Sequence, residues 1–219
     1  MILLQEITPE YARETLAHLT EVYPYHSGYP ETRHWAASMV LSRYPIVSQA
    51  ELDAPGAETP TLMRLVLDVD GQKIAVYNLQ LAWPVRSRPR LLPVENYYLK
   101  VILGYDDRLR NCQIDYLLNQ FQDEPYPFIA AGDFNTSAAS PTYRQLANHL
   151  HDSFREVGRG WGGSWPVSTA RGLPSFLPPL LRLDYIWHSD HFRAIQAQVG
   201  QPVGSDHRPL LAVLELLAD

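Results

Sequence analysis

The sequence predicts an α/β fold in which sheets stack face to face and helices cover them. Three observations lead there. Short apolar runs of strand length recur along the chain, separated by turn residues. Only two connections between them carry a full helical pattern, too few for the strand–helix alternation of a doubly wound sheet. No P-loop is present, and no G-x-G-x-x-G joins a strand to a helix, since Gly158-Arg159-Gly160-Trp161-Gly162-Gly163 lies in an irregular Gly- and Pro-rich stretch. At 219 residues, with no repeat, low-complexity tract or flexible linker, the chain reads as a single domain spanning 1–219.

Ile2-Leu3-Leu4-Gln5-Glu6 opens the chain as an apolar, buried strand. Thr8 and Pro9 then supply a helix cap and a first-turn proline, and the helix runs to about Thr20 with Tyr11, Leu16 and Leu19 facing inward. Residues 21–35, rich in Tyr, His, Pro and Gly, read as a loop. Ala36–Leu41 is a strand closed by Ser42-Arg43-Tyr44-Pro45, and Thr61–Val69 and Lys73–Leu81 are two more. Asp70-Gly71 between the last two is a strong hairpin signal. Pro84, Pro89 and Pro93 interleave with Arg86, Arg88 and Arg90, which forbids a regular element, and Tyr97–Leu103 begins a helical pattern. The clearest helix is about Asp107–Gln122, with Ile114, Leu117, Leu118 and Phe121 at helical spacing. Phe128–Ala131 is a short strand, and Ser140-Pro141 starts a helix to about Leu150. Residues 158–182, Gly- and Pro-rich around Trp161, Trp165 and Phe176, form a long irregular excursion of the kind that is functional or mobile. Leu183–His188 and Leu210–Leu217 are the final strands.

Eighteen Lys and Arg against twenty-four Asp and Glu give a formal charge of −6. That argues against a broad basic surface gripping a long nucleic acid, while leaving room for a small basic pocket. Cys112, the only cysteine, excludes an intrachain disulfide, leaves the redox compartment open, and reads as a core residue of its helix. No apolar run approaches the roughly 18 residues that span a bilayer, and no signal-peptide pattern precedes Ile2, so a soluble molecule is expected.

Polar residues that interrupt the apolar pattern are the candidates for chemistry. Asp133 and Asn135, in Gly132-Asp133-Phe134-Asn135, follow a strand and share one side of it, with Phe134 turned inward. A carboxylate beside an amide can take a proton from water or hold a hard cation, and donate to an oxyanion; an Asx-turn is the competing reading. Asp206-His207 pairs a metal-binding carboxylate with an imidazole suited to a phosphoryl oxygen, though such pairs also occur in ordinary turns. Asp184 lies within Leu183-Asp184-Tyr185-Ile186-Trp187, where a buried charge needs a partner, either a histidine or Arg182. Glu6 ends an apolar strand, as a metal ligand or as a strand stop. Asn78 and Gln80, two apart in a strand, present their amides on one face. His18, His149 and His151 have no metal-ligand spacing, whereas His26 and His34 flank a loop that can line a cleft.

Taken in order, these segments resemble the endonuclease/exonuclease/phosphatase superfamily, which shares the fold of DNase I. Leu4-Gln5-Glu6 looks like its metal-binding glutamate motif, Leu41-Ser42-Arg43-Tyr44-Pro45-Ile46 like its structural strand and turn, and Gly132-Asp133-Phe134-Asn135 is the most specific match. Leu183-Asp184-Tyr185-Ile186 and Ser205-Asp206-His207-Arg208-Pro209-Leu210 are similar to the two later motifs. The resemblance implies a four-layer sandwich of two mixed sheets with outer helices. It also implies a Mg²⁺-dependent hydrolase, with Mn²⁺ as possible substitute, acting by in-line attack of water. Glu6 and Asp206 would hold the metal, and Asp133 would orient or deprotonate the water. Asp184 would support His207, while Asn135, His207 and Gln80 would stabilise charge on the phosphoryl oxygens, with Asn78 on the same strand face as Gln80.

Two departures stand out. The family begins with an earlier strand ending in an asparagine, for which nothing precedes Met1, so a chain truncated at its N-terminus is expected. The exposed edge would then be covered by a homodimer or by rearrangement. Gln80 stands where most similar bacterial members carry histidine; glutamine donates a hydrogen bond but no proton. Abasic-site endonucleases use an amide there. The motifs leave the substrate open among nucleic acid, a small phosphodiester and a phospholipid headgroup, and among endonuclease, exonuclease, phosphodiesterase and phosphatase action. A catalytically impaired domain that binds phosphate-containing ligands is the alternative. The arrangement looks most like poorly characterised bacterial members, some with membrane segments ahead of the catalytic domain.

Overall fold

The computed structural model describes residues 1–28, 37–56, 62–84, 105–167 and 178–217. In chain order these form β1 (Ile2–Ile7), α1 (Pro9–Leu19), β2 (Tyr25–Ser27), β3 (Ala37–Ser42), β4 (Ile46–Glu51), β5 (Leu62–Val69) and β6 (Gln72–Gln80). Then follow α2 (Arg108–Gln122), β7 (Phe128–Asp133), α3 (Pro141–Ala147), β8 (His151–Asp152), α4 (Ser153–Val157), β9 (Asp184–His188), β10 (Phe192–Val199) and β11 (Leu210–Leu216).

Alternation along the central strands builds the layers. The six-stranded sheet runs β4-β5-β6-β7-β9-β8, with β6 and β7 parallel and the other pairs antiparallel. On one face Tyr77, Leu79, Phe128, Ala130 and Trp187 pack against Ile114, Leu117 and Phe121 of α2 and Leu146 of α3. On the other, Val76, Ile129 and Ala131 meet Leu3 of β1, Phe192 of β10 and Leu214 of β11. Those strands form a second layer in two pieces, β1-β3-β2 and β10-β11. Outside it, Ala12, Leu16 and Leu19 of α1 cover Met39 and Leu41 of β3. Helix, sheet, sheet, helix: the expected four layers are present. No helix among the described residues is long and apolar enough to cross a membrane.

The hairpin and the first helix follow from local chemistry. Asp70 and Gly71 both have positive φ, +54° and +91°, the backbone of a mirror-image two-residue turn. Thr8 caps α1, accepting from the Tyr11 N–H at 3.3 Å, and Pro9 starts it.

Several expectations need correction. Tyr11 is exposed, because the buried stripe of α1 is Ala12-Leu16-Leu19, offset by one residue. Cys112 is exposed on α2. The segment read as a loop contains β2, and α3 stops at Ala147 although Leu150 is buried. β4 is exposed over almost its whole length, β8 is two residues long, and β10 loses its alternation at a register shift between Ala194 and Gln196. Without a clean period of two, none of the three stands out in the sequence. The helical pattern at Tyr97–Leu103 and the middle of the Trp-rich excursion lie outside the described residues.

Gly132 shows how tightly β7 is held. Its φ is +137°, and a Cβ there would fall 1.9 Å from the Leu79 carbonyl oxygen of the neighbouring strand. Gly132→Ala is therefore expected to destabilise the protein by about 2–4 kcal/mol, through strain and backbone collision together. Urea unfolding at equilibrium measures this, and a change below about 0.5 kcal/mol would contradict the close approach.

Candidate active site

Three strand ends converge beside that glycine. Parallel pairing sets Gln80 of β6 next to Asp133, and antiparallel pairing sets Asp133 opposite Asp184. Asp133 is 8% exposed, while Phe134 is buried among Tyr185 and Trp187. Asn135 turns the chain with φ +47°. Its backbone N–H donates to Asp133 Oδ1 at 2.8 Å, and its amide donates to Asp133 Oδ2 at 3.0 Å and to the Leu81 carbonyl at 2.9 Å. Both amide hydrogens are thus committed, so Asn135 orients Asp133 rather than offering a free donor. Buried Arg110 of α2 donates to the Asn135 carbonyl and closes the turn from behind.

Asp184 starts β9. Its Oδ2 lies 2.8 Å from Nδ1 of His207. Arg182, the rival partner, is engaged elsewhere: it is buried against Asp152 at 2.6 Å. Ser164 ties the two segments of this pair together. Its hydroxyl accepts from the N–H groups of Leu183 (3.1 Å) and Asp184 (3.3 Å), and its carbonyl accepts from the Arg208 N–H at 2.8 Å. Next to it, Trp165 donates from Nε1 to Asp206 Oδ2 at 3.3 Å. Ser164, Trp165 and Arg110 carry no local sequence signal. Their role exists only through contacts made across the fold.

One carboxylate oxygen each from Asp133 and Asp184 and one nitrogen of His207 lie within 4.8 Å of one another. Glu6 and Asp206 stand outside that trio but act on it electrostatically. Glu6, at a bulge of β1 with φ +53°, accepts from the Gln80 amide, and its charge opposes ionisation of Asp133. Asp206 favours the charged form of His207. Asn78 serves the scaffold: fully buried, it donates to the Leu4 and Met39 carbonyls at 3.1 and 3.2 Å and accepts from Gln5, joining β6 to β1 and β3. His26 is exposed on β2, and His34 lies outside the described residues.

The electrostatics are those of a crowded acidic site. Burial, then the neighbouring Asp184, raise the Asp133 carboxyl to about 8; His207 and the Asn135 N–H oppose this, and Glu6 adds to it. Burial alone would lower His207, but the hydrogen bond and charge of Asp184, with Asp133 and Asp206, raise it to about 9. The converging carboxylate oxygens are what a hard divalent ion prefers, so the residues present fit one.

The sequence pattern of the endonuclease/exonuclease/phosphatase family matches residues 1–207. The chain belongs to this family. Among solved structures it is similar to the endonuclease/exonuclease/phosphatase of Bacteroides vulgatus, with TM-score 0.68 and 16% identity, over 98% of this chain and 84% of that one. The corresponding protein of Beutenbergia cavernae gives TM-score 0.70 and 19% identity over 98% of this chain, which spans only 62% of that relative. The human Nocturnin catalytic domain, solved with a bound sulfate anion, gives TM-score 0.62 and 19% identity over 98% and 79%. These likenesses show the DNase I-like fold of the family. No curated protein matches the sequence.

For this family member the two raised pKa values act in one direction on stability. A group whose folded pKa exceeds its unfolded value stabilises the fold below the unfolded pKa, and loses that contribution as pH rises through the folded one. For His207 the window is about 6.5 to about 9, and for Asp133 about 3.8 to about 8. Between pH 6 and pH 9 in EDTA, the melting temperature is expected to fall by several degrees, and less steeply in His207→Gln. Melting curves that rise over this range would rule the arrangement out.

Proposed function

We propose that this family member is a divalent-metal-dependent phosphodiesterase or nuclease that directs water in line at a phosphorus. The observation that carries the reading is the Asp133–Asp184–His207 cluster, whose imidazole keeps Nε2 without a partner among the described residues. Glu6 and Asp206 would hold Mg²⁺ or Mn²⁺ beside the cluster. When bound, the cation polarises the phosphoryl oxygens and offsets the negative charge of the site.

The protein's own groups do the rest. Asp133, aimed by two hydrogen bonds from Asn135, accepts a proton from the attacking water. The imidazolium of His207 donates Nδ1–H to Asp184, which fixes the ring, and presents Nε2–H to a phosphoryl oxygen. Gln80, whose amide donates to Glu6, steadies that carboxylate at the same rim. The sulfate bound by the Nocturnin domain is a tetrahedral oxyanion of the kind a phosphoester presents.

A panel of single- and double-stranded nucleic acids, a phosphodiester reporter and a phosphomonoester, assayed with Mg²⁺, with Mn²⁺ and with EDTA, tests this. Diester turnover that EDTA abolishes and either metal restores is expected. If no substrate is turned over in a metal-dependent way, the binding-only alternative takes its place.

A further inference from the structure

A cavity of about 880 Å³ lies beside the cluster and shares none of its residues. Two of its lining residues are chain neighbours of residues at the site: Arg208 follows His207, and Gly163 precedes Ser164. Its walls combine Arg159 and Arg208 with Trp161, Leu180, Ile195 and Val199. We propose that this cavity binds an anionic amphiphile, a small molecule with a phosphate or carboxylate group on an apolar body. The inference concerns binding alone and does not depend on the hydrolytic reading above.

The arginines provide the first argument. Elsewhere in the fold, half-buried or buried arginines are paired: Arg64 with Glu124, Arg110 with Asp107 and Arg182 with Asp152. Arg208 is half-buried, and its Nε is shielded from solvent with no hydrogen-bond partner. Arg159 makes no ion pair among the described residues. In a chain of formal charge −6, two guanidinium groups on one cavity with no ion pair among the described residues call for an incoming anion, and guanidinium forks match phosphate and carboxylate geometry.

The apolar wall provides the second. Trp161 is 77% exposed, Leu180 54% and Ile195 50%. Three large apolar side chains gathered at one opening are unusual for a water-facing surface and mark a contact site. The Trp161 ring is held in place rather than loose, since Nε1 donates to the Leu180 carbonyl at 2.9 Å. The volume lies in the range of small-molecule sites, which pair apolar lining with a few polar groups that orient the ligand.

Isothermal titration of the full chain with dodecyl phosphate in EDTA, below its micelle concentration, tests this, with inorganic phosphate and dodecanol as the separate halves. Saturable 1:1 binding is expected, at least about tenfold tighter than either half. Arg159→Gln and Arg208→Gln are each expected to weaken it by about tenfold, as is Trp161→Ala, with circular dichroism unchanged. Arg159 is exposed, so its variant reads binding without a folding penalty. Equal affinity for inorganic phosphate, or binding that survives the double arginine variant, would overturn the proposal. So would a dimer, seen by sedimentation, that dodecyl phosphate fails to dissociate, because a second copy would then fill the cavity.

Discussion

Asp133→Asn is expected to lower diester turnover by about three orders of magnitude while raising the melting temperature of the metal-free protein at neutral pH. The loss follows if Asp133 is the proton acceptor proposed above, since positioned general bases contribute about 10²–10⁴ in rate. The gain in stability follows from the same residue's environment. Burial and the Asp184 charge push the carboxyl to about 8, so near pH 7 the fold works against its ionisation. An amide of equal size carries no such penalty, although it meets the Asn135 amide less well than a carboxylate does. His207→Gln separates the effects: turnover should also fall, but the ion pair with Asp184 is lost and the metal-free protein should be less stable at pH 6. Kinetics and thermal melting of both variants are the measurements. Asp133→Asn retaining more than a tenth of wild-type turnover would remove Asp133 from the reaction.

Arg182→Leu should cost even more stability than Gly132→Ala, about 3–5 kcal/mol, because it strands a buried carboxylate. Asp152 is 5% exposed and receives two hydrogen bonds from Arg182, at 2.6 and 2.9 Å, and one from the Tyr143 hydroxyl at 2.8 Å. It also caps α4, accepting from the N–H groups of Phe154 and Arg155. The guanidinium is packed over the Tyr185 ring at 4.6 Å and near Phe154 and Tyr143. A domain of ordinary stability has only about 5–15 kcal/mol in hand, so the variant should unfold at much lower urea. Removing both charges in Arg182→Leu/Asp152→Asn should recover part of the loss. A single-variant loss below about 1 kcal/mol would mean that the pair is hydrated. The site should suffer too, because the Arg182 side chain packs over the ring of Tyr185, the residue that follows Asp184 in β9.

The central motifs were legible because they break a rule. Asp133 at the end of Phe128–Ala131, Asp184 at the head of an apolar run and His207 before the last strand are polar groups where burial is costly, so each needed a purpose. Strands written as apolar runs of strand length, β5, β6, β7 and β11, were equally plain, as were capped α1 and the Asp70-Gly71 turn. β4, β8 and β10 were hidden. An edge strand exposed on both faces, a two-residue strand and a strand with a register shift leave no alternation to read.

By itself, the sequence determined which residues could not be ordinary core and in what order they occur, because burial and strand period act locally. Only the tertiary structure decided what each was paired with. It placed Arg182 on Asp152 and left Asp184 to His207, and it turned Asn78 to the backbone of β1 and β3. It also brought Ser164 and Trp165 against the last two motifs, and set Arg159 and Arg208 on one cavity. A charge needs a partner wherever it is buried. The partner's identity is a distance between segments far apart in the chain, and no local pattern encodes it.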